Sequence, residues 1–276
     1  MTDGAIYVAT GQDYLDLARA SAATLRHHNP GLPVDVFTDC PDAPGLEVFD
    51  AVHTVARVHP RAKIDCMPLS RFDRTLYLDC DTLILAPFGD LFDLMQRFDL
   101  ALAHDMRRAS DLVQEGHAER TPYAFPQLNS GVVLYRNSPA MARFFADWAA
   151  RYRAAGATRD QVALKDLLWA SDLRFYVLPT EFNLRRVTLL DAWEPLDARP
   201  TILHSHRLLD HLRRLGVPRV RSLGEVVTLE RAALAAEWAT LGLDEDGRRD
   251  TERLLALLGM PPVRETRPAR LRKAAV

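Results

Sequence analysis

The stretch Arg74–Pro87, RTLYLDCDTLILAP, sets two aspartates, Asp79 and Asp81, inside what would otherwise be one continuous apolar run. A carboxylate taken from water must be paired, protonated or bound to a cation. On extended backbone, residues at i and i+2 point to the same side, so the two acids would share one aim and repel each other. A divalent cation relieves that repulsion, and carboxylate oxygens suit Mg²⁺ or Mn²⁺, which keep positions for waters and phosphate oxygens. A bound nucleotide diphosphate would complete such a shell. The alternative is a sharp turn with both acids capping a solvated loop, since a bare D-x-D often arises by chance. The flanks favour the first reading. Leu76, Tyr77 and Leu78 lead in and Thr82–Leu85 stays apolar, which predicts acids at a strand end inside the fold.

Outward from this segment, short apolar runs alternate with helical patterns. Strands are expected at Ala5–Thr10, Pro33–Phe37, Asp99–Ala103, Ser130–Tyr135, Arg174–Leu178 and Thr201–His204, besides the run Thr75–Leu85. Helices are expected at Tyr14–His28, Ala62–Phe72, Gly89–Gln96, Pro139–Ala154 and Asp160–Ala170. Strands interleaved with helices predict an α/β class with a mainly parallel sheet covered on both faces, and ligands outside the carboxyl ends of its strands. After about Leu223 the strand signals stop. Glu225–Thr240 and Thr251–Leu258 read as helical, giving a main domain over 1–223, a helical appendage over 224–263 and a basic tail over 264–276. The tail has little to bury, so a solvated end is expected, with peripheral contact at a membrane surface as the alternative.

Composition narrows the classes. The chain has 276 residues, 48% hydrophobic and 26% charged, enough to bury a sizeable core. Its 35 basic and 37 acidic residues leave a net charge of −2, which argues against nucleic acid as a partner. Cys40, Cys66 and Cys80 are odd in number and lack C-x-x-C spacing, so neither a disulfide framework nor a cysteine zinc site is expected, and a cytoplasmic location fits. The first residues show no secretory leader pattern, and no run approaches a membrane span.

Several blocks, in order, resemble the glycosyltransferases of the GT-A fold, especially family 8 and its glycogenin-like branch. Ala62–Phe92 looks like the donor-binding block with its D-x-D at Asp79 and Asp81, and LNSGVVLYRNS (Leu128–Ser138) resembles the Asn-Ser-Gly-Val block. The pair Asp160 and Gln161 opens a helix as in that family. LPTEFNLR (Leu178–Arg185) resembles its Leu-Pro…Phe-Asn element, and ILHSHR (Ile202–Arg207) stands where the metal-binding histidine usually lies. The set spans about residues 5–207.

The resemblance implies a Rossmann-like GT-A domain with a helical appendage, Mn²⁺ or Mg²⁺ held by Asp79, Asp81 and His204, and a nucleotide-sugar donor, uridine being the favoured base. It places Ala9, Thr10 and Tyr14 at the base, and Lys63, Asn129, Ser130 and Gly131 at the donor. It sets Asp160 near the sugar hydroxyls and Gln161 near the reacting centre. Each has an ordinary alternative: Lys63 as a surface lysine, Asp160 as a helix N-cap, Tyr14 as packing, and His204 with His206 as a structural pair. The family's continuation His-x-x-Gly-x-x-Lys-Pro-Trp is absent, the chain reading HSHRLLDHLRRLG, so the expected phosphate-binding lysine is missing. Arg207, Arg213 or Arg214 could replace it, since guanidinium groups bind phosphate oxygens in bidentate fashion; Arg207 is the expected donor contact, and solvation on a helix surface is the expected role for at least two of the three. An acid the branch carries three residues before Asp160 is replaced by Ala157.

The reaction implied is transfer of a hexose, with retention at the anomeric carbon, to an acceptor the sequence does not identify. A non-catalytic GT-A domain binding a nucleotide sugar or a protein is the alternative. A sugar-nucleotide pyrophosphorylase would need a glycine-rich basic loop near the N-terminus, which ATGQDYLDLA lacks.

Overall fold

The computed structural model describes residues 1–105, 121–122, 124–156, 159–240, 242, 250–257 and 259. It divides into two compact units, Met1–Val227 and Thr228–Val276. The basic tail over 264–276 lies outside the described residues, as does Ala157.

In chain order the first unit runs β1 (Asp3–Ala9), α1 (Gln12–His28), β2 (Val34–Thr38), β3 (Ala51–Thr54), α2 (Ala62–Cys66), β4 (Arg74–Leu78), β5 (Thr82–Ile84), β6 (Leu100–His104) and β7 (Leu128–Arg136). Then follow α3 (Pro139–Ala155), α4 (Gln161–Ala170), β8 (Phe175–Val177), β9 (Ile202–His204) and α5 (Asp210–Arg213). Helix α6 (Leu223–Thr240) crosses the division between units, and α7 (Thr251–Leu257) lies in the second.

Seven strands form one sheet in the order β3-β2-β1-β4-β7-β6-β8, and β5 pairs separately with β9. Within the large sheet only β7 runs against its neighbours, so the sheet is mainly parallel. Alternation along its strands feeds two apolar layers. Ala5, Tyr7, Leu76, Leu78, Val132 and Leu134 pack with α1 on one face. Ile6, Tyr77, Val133 and Tyr135 pack with Phe144, Phe145 and Trp148 of α3 on the other. This is the period of two expected of pleated backbone.

Local chemistry explains the helix ends. Ser138 caps α3 by accepting from the Met141 N–H, Pro139 opens it, and Gly156 ends it at φ 57°. In α1, Leu15, Ala18, Ala22 and Leu25 recur at helical spacing and are buried, and Arg26, His27 and His28 complement its carboxyl end.

Some expectations needed correction. The run Thr75–Leu85 is two strands, broken over 79–81, and the second leaves the main sheet for β9. The helix expected over Ala62–Phe72 ends at Cys66 and tightens into a 3₁₀ turn, Met67–Leu69, where Pro68 lacks an N–H for the α-helical ladder. Ala51–Thr54 was not expected as a strand; it is an edge strand of four residues, too short for its alternation to stand out.

Candidate functional site

Topology gathers the site. Strands β1 and β4 are parallel neighbours whose carboxyl ends lie together, and β7, running the other way, begins there. The first residues of β7 therefore meet the residue after β4: the Asp79 N–H donates to the Gly131 carbonyl at 2.7 Å. Thr82 of β5 registers with His204 of β9, and the Ser205 N–H donates to the Asp81 carbonyl at 3.0 Å. The strand break at 79–81 thus draws His204, more than a hundred residues away, onto the two aspartates.

Asp79, Asp81 and His204 each offer a ligand atom, all within 4.8 Å of one another. His204 Nε2 lies 3.4 Å from Asp81 Oδ1 and 3.8 Å from Asp79 Oδ2. The turn, not i/i+2 alternation along one strand, sets this convergence. Two carboxylates and an imidazole form a donor set suited to a divalent ion such as Mn²⁺. Burial works against the Asp81 charge, and the Arg185 guanidinium beside it works in its favour.

A hydrogen-bond relay fixes the histidine. The Gly131 N–H donates to Asn129 Oδ1 at 3.0 Å, which identifies that atom as the carboxamide oxygen. Asn183 Nδ2 donates to the same oxygen at 3.0 Å, so Asn183 Oδ1 faces His204 Nδ1, also at 3.0 Å. His204 Nδ1 must then carry the proton, and Nε2 presents its lone pair to the aspartates. Gly131 closes the cradle. A Cβ there would lie 2.0 Å from His204 Cε1 and 2.7 Å from Asp79 Oδ2, so no other residue fits without moving a ligand.

Lys63, far from being a surface residue, is buried at the hub of a second network. Its ammonium reaches Asp79 Oδ1 at 3.1 Å, the Ser130 carbonyl at 2.9 Å and Asp160 Oδ2 at 3.5 Å. Burial lowers its pKa, but Asp160 and Asp79 outweigh this and raise it, so the ammonium persists. Asp160 stands at the start of α4 without capping it. Its carboxylate takes the Ser130 hydroxyl at 2.8 Å and the Arg61 guanidinium at 3.1 Å, and these cations hold its pKa below the usual range despite burial. The Tyr77 hydroxyl donates to Asp79 as well.

These groups open onto a cavity of about 720 Å³. Thr10, Tyr14, Lys63, Asp79, Asp81 and His204 line it, and so do Arg61, Arg159, Arg185, His206 and Arg213. Ala9 is fully buried in the core behind it. Asn129, Ser130 and Asp160 stand one layer back, holding the lining groups, and Gln161 donates to Asp105 at 2.6 Å. Arg207, expected at the donor, is not on the wall. The Ser205 hydroxyl accepts its N–H and starts a tight turn, in which the Arg207 guanidinium swings onto Asp210 at 3.2 Å. Arg214 is likewise off the wall, whereas Arg213 is on it. Arg185 escaped the sequence reading although it ends the quoted block LPTEFNLR, because nothing local marks which arginine faces the acids.

By sequence, the chain matches no family model and no curated protein. By fold, it is similar to the glycosyltransferase GlyE of Streptococcus pneumoniae TIGR4, with 19% identity and TM-score 0.50 over 74% of this chain, which spans about half (55%) of GlyE. It is also similar to LgtC, solved as a galactosyltransferase in complex with donor and acceptor sugar analogs, with 14% identity and TM-score 0.54 over 74% of this chain and 87% of that one. The mainly parallel sheet, the helices on its faces and these likenesses establish the GT-A fold.

Proposed function

We propose that the chain is a metal-dependent retaining glycosyltransferase that moves a hexose from a nucleotide diphosphate sugar, with UDP as the favoured carrier, to an acceptor. The observation that carries this reading is the Asp79–Asp81–His204 cluster opening onto a cavity whose remaining polar wall is largely cationic. The GT-A fold, found in GlyE and LgtC, supports it.

Asp79, Asp81 and His204 Nε2 would hold Mn²⁺ or Mg²⁺, which when bound supplies positive charge to a departing diphosphate. The chain's own residues do the rest. Lys63 holds the Asp79 carboxylate in place, and Asn183 keeps the His204 lone pair pointed at the site. Tyr14 and Thr10, at the mouth beyond β1, would flank the base, Tyr14 offering a half-exposed ring for stacking. Asp160 would act on the sugar from one layer back, through the Lys63 and Arg61 cations it holds, and Gln161, tied to Asp105, would stand near the reacting centre. Asp160 is tied up by two cations and a hydroxyl, which makes it a poor covalent nucleophile. Departure and attack on one face of the sugar therefore account for retention, a phosphate oxygen of the leaving group accepting the acceptor's proton. Among the described residues no helix is long and apolar enough to cross a membrane, and Cys40, Cys66 and Cys80 are free thiols, which supports a cytoplasmic setting.

The test is metal-dependent hydrolysis of a panel of nucleotide sugars. Asp79→Asn and Asp81→Asn should each abolish it with the fold intact by circular dichroism. Normal activity in both variants refutes the metal-site assignment. UDP binding without turnover of any donor would leave a binding domain and overturn the catalytic reading.

A further inference from the structure

Cations already crowd the cluster. Arg61 and Lys63 meet Asp160 and Asp79, and Arg185 lies beside His204. Arg61 and Lys63 are committed: the first lies on Asp160, the second between Asp79 and Asp160. Arg185 is placed differently. Its Nη1 lies 3.4 Å from His204 Nε2, the lone pair that the asparagine relay presents. Among the described residues it makes no ion pair within 4.0 Å, and it lines the cavity. A guanidinium donating to Nε2 uses the same lone pair that a metal ion needs.

We propose that Arg185 stands in for the divalent ion when the site is empty, and on metal binding swings outward to become the cation that receives the leaving diphosphate. This rests on the nucleotide-sugar reading above. Electrostatics motivates both halves. A divalent ion adds positive charge to a wall that Arg61, Lys63 and Arg185 already line, and a diphosphate then neutralises the excess. The displaced guanidinium still borders the metal ligands, so its fork can reach oxygens of a diphosphate bound to the same ion. It supplies the cation that the missing lysine of the histidine block leaves wanting. In the transfer itself the bond from the anomeric carbon to the phosphate oxygen breaks, its electron pair going to the phosphate. The acceptor oxygen bonds that carbon and its proton passes to a phosphate oxygen. Arg185 donates hydrogen bonds to the leaving oxygens and transfers no proton.

The experiment uses two titrations of the full chain at fixed salt: Mn²⁺ into nucleotide-free protein, read by the electron paramagnetic resonance of free Mn²⁺, and UDP into Mn²⁺-saturated protein, read by calorimetry. For Arg185→Ala the effects should have opposite signs. Mn²⁺ binds several-fold tighter, because its competitor is gone, and UDP binds roughly tenfold or more weaker, the loss of a charge-assisted contact. Arg185→Lys should keep part of the UDP affinity, uridine should bind all variants alike, and Arg214→Ala, off the wall, should match the parent. Loss of both affinities together in Arg185→Ala overturns the proposal, since that marks a support of the ligands rather than their competitor. UDP affinity within about threefold of the parent overturns it too. If the parent itself binds Mn²⁺ but not UDP, the donor reading fails together with the diphosphate role. A parent that binds UDP beside an unaffected Arg185→Ala refutes Arg185 alone.

Discussion

Gly131→Ala isolates the geometry on which the Asp79–Asp81–His204 cluster depends. The added Cβ would stand 2.0 Å from His204 Cε1, 2.7 Å from Asp79 Oδ2 and 2.8 Å from His204 Nδ1. Ordinary carbon contacts lie near ~3.5 Å, so the imidazole must retreat by more than about 1 Å. It has little room: the ring is buried, Nδ1 is held by Asn183, and the backbone is fixed in register with Thr82. Gly131 is not among the glycines with positive φ, so alanine strains no backbone and the whole effect is steric. Overpacking of this kind costs about 1–3 kcal/mol, to be read from urea denaturation. Metal sites tolerate roughly 0.2 Å of error in ligand distance, so Mn²⁺ affinity should fall at least about tenfold. Both changes belong to the ligand-free protein and need no substrate. Wild-type Mn²⁺ affinity in Gly131→Ala would show that His204 and Asp79 do not share an ion.

Asn183→Leu should weaken Mn²⁺ binding by roughly ten- to hundredfold and shift the His204 ring-nitrogen resonances toward a mixed tautomer. An unchanged nitrogen spectrum would mean the relay does not set the tautomer. Lys63→Met leaves Asp160 and Asp79 short of a buried cation, and should destabilise the fold by about 3–5 kcal/mol in urea; a loss under ~1 kcal/mol would place the ammonium in solvent instead. The Asp160 carboxyl is held below its ordinary value by Lys63 and Arg61. Its contribution to stability is therefore present above the unfolded pKa, about 3.9, and is lost as pH falls through the lower folded value. Asp160→Asn should flatten that acid-side decline in urea titrations below about pH 4, and an unaltered slope would remove the carboxylate from the account.

The layering was legible because local chemistry and fold agree. The alternation in Ala5–Ala9 and Leu76–Leu78, the helical spacing of Leu15, Ala18, Ala22 and Leu25, and the Ser138, Pro139 and Gly156 punctuation of α3 state their roles in short windows of sequence. The two carboxylates were legible for a similar reason, since charge within an apolar run demands a partner. Asp160 was ambiguous: an acid opening a helix reads as a cap, and only the folded chain shows Arg61, Lys63 and Ser130 taking both its oxygens. Arg207 and Arg185 illustrate the limit. Arg207 follows the histidine block yet turns onto Asp210, while Arg185 reaches His204 from nineteen residues away.

By itself the sequence determined most of the strands and helices, the faces they bury and the expectation of a positive partner for Asp79 and Asp81. Those properties follow from backbone periodicity and from the cost of burying charge, which act over a few residues. Tertiary structure decided which side chains answer those acids. The departure of β5 from the main sheet to pair with β9 sets His204 on the aspartates, and the reversed direction of β7 sets Gly131 and Asn129 behind it. Strand order and direction arise from packing among segments distant along the chain, and hydrogen-bond geometry at 3 Å is sensitive to that packing in a way no local pattern of residue types records.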